Sequence, residues 1–345
     1  MTTMNNPAPA DEAVVLSPEW LTATLGRRHS SAVATRAQVV ERLETVATKL
    51  RFRVEYAQHT DAPAALCAKG YFNPARRRTT RAEGDFYRLA AQDLPVRTPP
   101  CVYAAVDDDT GHALILMHDL VAAGAQFLDP TTTYGADRAA DTLDQLAALH
   151  AATWEGKRPA LQELFPPRLL RLSGHLSPDQ LQGLLDDGRA QGISEPVRRA
   201  DRLIAAMAAM DRLRAAAPTC LVHGDLHTGN IYEQADGRPG LIDWQVVQHG
   251  VWALDVAYHL ATVLDPDELA RHERALLDHY LDRLATHGVT PPDRDQAWSL
   301  YRSYLPYGLF MWAITRAVDR PVIEHLTERL GHAVERHRSL DLLAT

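Results

Sequence analysis

Between Val39 and Phe72 apolar and polar positions alternate, most clearly over Lys49–Tyr56, where Leu50, Phe52, Val54 and Tyr56 are set against Arg51, Arg53 and Glu55. A period of two turns one face of a strand toward a core. Three short strands are therefore expected here, with a turn at Asp61–Ala62–Pro63 and Lys69 closing the apolar run Ala64–Ala68 on the third. A basic, loop-like stretch, Asn73–Arg81, leads into a helix expected from about Thr80 to Gln92, which carries Glu83, Phe86, Tyr87 and Leu89. Pro99–Pro100 breaks the chain. Val102–Val106 and Ala113–Met117 then read as two more strands joined through the solvated turn Asp107–Gly111. The result is a five-stranded antiparallel sheet with one inserted helix. Upstream, Ser17 before Pro18 marks a helix start. Residues 1–12, rich in Asn, Pro and Ala, are expected to be disordered.

The rest of the chain reads as helices. Asp137–Thr153 sets Leu143, Leu146, Ala147 and His150 on one face, with His150 expected at the core edge. Residues 160–195 are irregular with helical pieces, and Pro196–Ala217 is a long Ala-rich helix. Leu254–Leu264, Asp267–His287, Arg294–Val318 and Pro321–Leu340 complete the set. Strands first and helices afterwards make an α+β pattern.

Composition narrows the class. A net charge of −8 over 345 residues, with no long basic run, argues against nucleic acid as a partner. No apolar stretch is long enough to span a bilayer, and the N-terminus has no basic-then-apolar leader, so a cytoplasmic protein is expected. Three scattered cysteines, Cys67, Cys101 and Cys220, fit neither a disulfide framework nor a zinc site. Of 36 basic residues only Lys49, Lys69 and Lys157 are lysines. The oligomeric state is left open.

The chemistry concentrates in His223-Gly-Asp-Leu-His-Thr-Gly-Asn230, followed by Leu241-Ile-Asp-Trp244. The Leu221–His223 strand delivers Asp225 into a loop, where a carboxylate can take the proton of a hydroxyl. Asn230 stands at the loop exit. A hairpin of Ile231–Tyr232 and Leu241–Ile242, with Asp236–Gly237 in its turn region, folds Asp243 back beside Asn230. Two oxygen donors on neighbouring strand ends suit Mg²⁺ bound to nucleotide phosphates. His223, Asp225 and His227 also alternate as the ligands of a metal hydrolase might. That arrangement leaves Asn230 and Asp243 without a role, so the two imidazoles are expected to brace the loop by hydrogen bonds.

These motifs resemble those of the aminoglycoside phosphotransferase and choline kinase superfamily, relatives of the protein kinases, whose catalytic loop has the same Asp-to-Asn spacing. The Glu83-Gly-Asp-Phe-Tyr87 helix is most similar to that of ecdysteroid-kinase-like bacterial phosphotransferases. The resemblance implies a protein-kinase-like two-lobed fold: an N-lobe over 13–117, a hinge at 118–120 and a larger, mainly helical C-lobe over 121–345. It implies ATP and Mg²⁺ as cofactors, Asp225 as catalytic base, and Asn230 and Asp243 as metal ligands. Lys69 would hold the α and β phosphates and pair with Glu83. Met117 would border the adenine, and the backbones of His118 and Leu120 would bond it. Asp255, in Trp252–Tyr258, resembles a buried Asp that braces the catalytic loop. Two departures stand out. The loop Glu44–Lys49 has no glycine to let backbone amides approach the phosphates, and Gln245 follows Asp243–Trp244.

A cationic acceptor would need carboxylates or an aromatic cage. Residues 298–322 offer Tyr301, Tyr304, Tyr307, Phe310 and Trp312, expected mostly in the core, with Asp319 the only acid among Arg302, Arg316 and Arg320. Asp186, Asp187 and Glu195 could add negative charge. The expectation is an ATP-dependent small-molecule kinase acting on a hydroxyl of a partly apolar acceptor. An aminoglycoside or choline-type kinase is the alternative, and a non-catalytic nucleotide-binding module the reading from another class. Partners are the nucleotide and a small-molecule acceptor, with no nucleic acid and no membrane.

Overall fold

Ser17 accepts the Trp20 N–H at 3.3 Å and so starts α2 (Pro18–Leu25), just after the single turn α1 (Glu12–Val15) capped by Asp11. This is the beginning of a computed structural model that describes residues 7–45, 47–72 and 81–344. The described chain falls into two compact units. The first takes the chain up to Asp93, then Thr98–Gln126 and Ile242–Gln245; the second takes Leu94–Arg97, Phe127–Leu241 and the chain from Val246 onward.

In the first unit β1 (Ala34–Glu44), β2 (Thr48–Tyr56), β3 (Ala65–Gly70), α3 (Arg81–Leu89), β4 (Cys101–Val106) and β5 (Ala113–His118) follow in order. The strands form the expected five-stranded sheet, ordered β1-β2-β3-β5-β4 and antiparallel throughout. The alternation along β2 is realised as two faces. Leu50, Phe52 and Val54 join Leu66, Ala68, Leu114 and Leu116 in a core closed by Trp20, Leu21 and Leu25 of α2. The other face carries Lys49, Arg51, Cys67, Lys69, Ile115 and Met117, since directly paired residues of antiparallel strands share a face. Helix α3 packs on that second face. A Cβ on Gly84 would lie 2.5 Å from the Ala113 Cβ and 2.9 Å from Val106 Cγ2, so only glycine allows this approach.

Two expectations shift here. β1 starts five residues before Val39 and is almost wholly exposed as an edge strand, so no apolar alternation marks it. Residues 7–11, within the stretch expected to be disordered, are held by contacts remote in sequence. Tyr103 Oη donates to the Pro7 carbonyl at 2.5 Å, the His112 ring bonds the Ala8 carbonyl at 3.0 Å, and Ala8 is fully buried. Residues 1–6, Val46 and 73–80, including most of the basic loop, lie outside the described residues.

The short β6 (Gln126–Phe127) precedes the helices α4 (Ala136–Thr153), α5 (Pro159–Leu164), α6 (Leu169–Ser173), α7 (Pro178–Leu184) and α8 (Ala200–Leu213). The last is shorter than the Ala-rich run suggested, because Pro218 disfavours helix in the residues before it and 196–199 form a turn. Then come β7 (Thr219–Val222), β8 (Ile231–Glu233), β9 (Pro239–Leu241), β10 (Gln248–Val251), α9 (Ala253–Val263), α10 (Pro266–Thr286), α11 (Arg294–Ile314) and α12 (Arg320–Arg336). β10 was not expected from its sequence; it pairs antiparallel with β7, placing His249 opposite Leu221. Every residue of α9 is buried, and α4, α10, α11 and α12 surround it. Among the described residues no helix is long and apolar enough to cross a membrane. The three cysteines are free thiols.

Candidate active site

Strand β7 ends in a loop whose backbone is fixed from below by Asp255. This fully buried carboxylate accepts the N–H of His223 at 2.7 Å and of Gly224 at 2.8 Å, and bonds the His150 ring at 3.1 Å. Burial works against its charge, but His150, His223 and the Gly224 amide outweigh burial and hold its pKa below the ordinary aspartate value. His150 also bonds Tyr280 Oη at 2.7 Å; it is wholly buried rather than at the core edge, with both ring nitrogens engaged. Gly224 sits at φ +83°, and a Cβ there would meet the Val246 carbonyl at 2.7 Å, so the turn that presents Asp225 needs glycine.

Asp225 is half-buried, and its Oδ1 accepts the Tyr258 hydroxyl at 2.7 Å. Tyr258 in turn accepts Trp312 Nε1 at 2.9 Å, and Tyr307 donates to the Gly224 carbonyl at 2.7 Å. Burial, then the Asp225 charge, pushes the Tyr258 phenol well above its usual pKa, so it remains a donor. The imidazoles act as braces: Nδ1 of His223 accepts the Asp225 N–H at 3.2 Å, and Nδ1 of His227 accepts the Gly229 N–H at 3.1 Å. Asn230 donates its amide nitrogen to the Asp225 carbonyl at 2.7 Å, which leaves its side-chain oxygen as a hard donor suited to Mg²⁺. From there Ile231 pairs with Leu241 across the β8–β9 hairpin, which Arg97 clamps by accepting the Leu241 N–H at 2.8 Å and donating to the Pro239 carbonyl at 2.6 Å.

Two residues beyond Leu241, Asp243 belongs to the first unit. It holds the left-handed φ of +65°, a conformation that costs a non-glycine residue about 1 kcal/mol or more and needs support. Support comes from both sides. Lys69 Nζ reaches Asp243 Oδ1 at 3.1 Å, and the adjoining Trp244 stacks on Phe86 of α3 at 3.9 Å and 12°. Lys69 also binds Glu83 at 2.8 Å, as the sequence led one to expect. Burial would lower the Lys69 pKa, but the charges of Asp243 and Glu83 overcome it and raise it. Glu83 moves up as well, from burial opposed by Lys69 and reinforced by Asp243. The Lys69 ammonium is thus shared by two carboxylates, Glu83 and Asp243. Surplus negative charge of this kind, with carboxylate oxygens, fits a divalent cation at Asp243. Burial, then repulsion from Lys69, lowers the pKa of Lys49, which lies directly opposite Lys69 in the ladder.

At the end of β5, Met117 is buried on the Lys69 face. The His118 N–H is taken by the Pro100 carbonyl at 3.0 Å, so it is not available to donate to a ligand. Among the described residues the Leu120 N–H has no partner. Between them Asp119 accepts Arg51 Nε at 3.0 Å and the N–H of Val121 at 3.1 Å, which sets the backbone turn. Tyr258, bonded to Asp225, and Lys49, opposite Lys69, lie at the candidate site without having been singled out from the sequence as site residues. Lys49 carried one signal, its rarity as a lysine. Tyr258 carried none beyond its place in an apolar helix. The aromatics of α11 are core, as expected: Tyr301, Tyr304, Tyr307, Phe310 and Trp312 are all buried.

The fold recurs among solved structures. Choline kinase from Cryptosporidium parvum superposes with a TM-score of 0.56 at 11% identity, over 88% of this chain and 90% of that one. Plasmodium vivax ethanolamine kinase gives 0.54 at 15% identity, over 88% and 83%. APH(2")-IIia, in its complex with GDP and kanamycin, gives 0.50 at 15% identity, over 92% and 98%. At such identities the likeness establishes a shared fold. No curated protein matches the chain in sequence. The phosphotransferase enzyme family (APH) matches residues 40–290, well over half of the chain, with Lys69, Glu83, Asp225, Asn230, Asp243 and Asp255 inside the match, and the protein belongs to that family.

Proposed function

We propose that the protein transfers the γ-phosphoryl group of ATP to a hydroxyl of a small, partly apolar acceptor. Asp225 takes the hydroxyl proton as the new O–P bond forms, the bond from the γ-phosphorus to the bridging oxygen breaks, and ADP leaves. Asn230 and Asp243 would hold Mg²⁺, which neutralises charge on the phosphate oxygens when bound. Lys69, set by Glu83, holds the α and β phosphates. The His118 carbonyl and the Leu120 N–H, at the hinge 118–120, meet the adenine edge beside Met117. One observation carries this reading: Tyr258 occupies one oxygen of Asp225, which favours the other as the proton acceptor.

The charge of this region supports that acceptor class. Asp187 is bound by Arg189 at 2.9 Å and Arg320 at 3.0 Å, and Asp186 lies 3.8 Å from Arg198. Two of the four acids named in this region are thus already matched by arginines, while Glu195 and Asp319 have no ion pair among the described residues, so the charge that a polycation would meet is reduced rather than absent. The test is a panel of neutral, amino-alcohol and aminoglycoside acceptors with ATP or GTP and Mg²⁺. Transfer to a neutral or mixed hydroxyl compound, abolished in Asp225→Ala, is expected. Exclusive turnover of choline or kanamycin would overturn the acceptor class. Nucleotide binding with no acceptor phosphorylated would make this a non-catalytic nucleotide-binding module.

A further inference from the structure

We propose that Lys49 is a second phosphate-binding cation, reaching across the β2–β3 ladder beside Lys69 to hold the outer phosphates of the nucleotide under a loop that has no glycine. The inference rests on the nucleotide-dependent reaction proposed above and adds a residue to it. Lys49 and Lys69 are directly paired, so their side chains leave the same face of the sheet about 5 Å apart at Cβ. Two ammonium groups so placed repel one another, an arrangement that an anion bound between them relieves.

The partners of each cation on this face separate their roles. The Lys69 ammonium is committed to Glu83 and Asp243. Arg51, two residues along β2 on the same face, is committed to Asp119 and Glu41. The Lys49 side chain has no hydrogen bond or ion pair within the described residues, although it is half-buried; Arg53, further along the same face and likewise unpaired, is exposed. The charged groups it senses are Lys69, Asp243 and Glu83. With a divalent cation on Asp243 the cluster turns net positive, as a polyphosphate requires.

The loop explains why a side chain is needed. Glu44 pairs with Thr48, so the β1–β2 connection is tight, and the Thr45 N–H is used on the Ala47 carbonyl at 3.1 Å. The sequence Glu44–Lys49 also offers no glycine, the residue that lets a backbone approach phosphates most closely. A lysine at the first turn of β2 supplies the same charge from a rigid strand.

The test measures binding of ATP, ADP and AMP with Mg²⁺ to the full chain by calorimetry, for wild type, Lys49→Met and Lys49→Arg. Lys49→Met should weaken ATP about tenfold or more, as loss of a charge-assisted contact does, while AMP changes less than about twofold. Lys49→Arg should recover most of the ATP affinity, and the KM for ATP should rise more than kcat falls in Lys49→Met. Unchanged ATP affinity in Lys49→Met, or equal weakening of ATP and AMP, overturns the proposal. If wild type binds neither ATP nor GTP, the reading of the reaction itself falls and this one with it.

Discussion

Asp225, the proposed base, is held by residues far from it in sequence. Tyr258 fixes one oxygen, Trp312 fixes Tyr258, and Tyr307 fixes the preceding carbonyl. Removing the Tyr258 hydroxyl frees the carboxylate to rotate without touching nucleotide contacts. Tyr258→Phe should therefore lower kcat about tenfold to a hundredfold, the cost of one hydrogen bond to a charged group, with nucleotide affinity unchanged. Steady-state kinetics alongside nucleotide titration checks both halves; an unchanged kcat removes Tyr258 from the account. The contrast with Asp225 itself is instructive. Asp225, Asn230 and Asp243 stood out in the sequence as candidates because phosphoryl transfer demands such donors at short spacing along one segment. Tyr258 did not, because its role arises only when α9 and α11 pack together, and an inward tyrosine on a wholly buried helix looks like core.

At the scale of elements, α3 is the piece whose placement matters most to the ion pair. Gly84 lets it settle against β4 and β5, with Glu83 at Lys69 and Phe86 under Trp244. Alanine at 84 would gain up to about 1 kcal/mol of helix propensity. Its Cβ would however strike the Ala113 Cβ, which the strand backbone holds in place, and such overpacking costs about 1–3 kcal/mol. The second effect wins. Gly84→Ala should unfold at lower denaturant concentration and bind ATP more weakly, because the helix shifts and lengthens the Lys69–Glu83 contact. A variant as stable as wild type would show that α3 has room. The strands of this sheet were readable where one face is apolar, as in β2. They were unreadable where burial is slight, as in β1, or where the strand is short and buried on both faces, as in β10.

The molecule as a whole should be sensitive to acid through groups that brace the catalytic loop. His259 is fully buried, donates toward the Leu226 carbonyl at 3.1 Å, and burial pulls its pKa down to about 4. In the unfolded chain it takes a proton near ~6.5. Below that pH the unfolded state therefore binds more protons than the folded one. The stability is fully present above ~6.5 and is lost as pH falls toward 4, by roughly 3 kcal/mol. Asp255, held below its ordinary value, adds a further loss at lower pH, beneath the usual aspartate range. Denaturation between pH 7 and 4 should show this slope, and His259→Asn, which keeps a donor but cannot titrate there, should flatten it. An identical slope in the variant would assign the acid sensitivity elsewhere. The family fold was legible at this scale from a few motifs. That residues 242–245 join the first unit, away from the strand that precedes them, was not, since nothing in their composition sets them apart. The most direct measurement is a crystal structure with Mg²⁺ and a non-hydrolysable ATP analogue. The account predicts the metal bound by the side-chain oxygens of Asn230 and Asp243 at about 2.0–2.1 Å. A metal held instead by His223 and His227, or touching neither Asn230 nor Asp243, would contradict it.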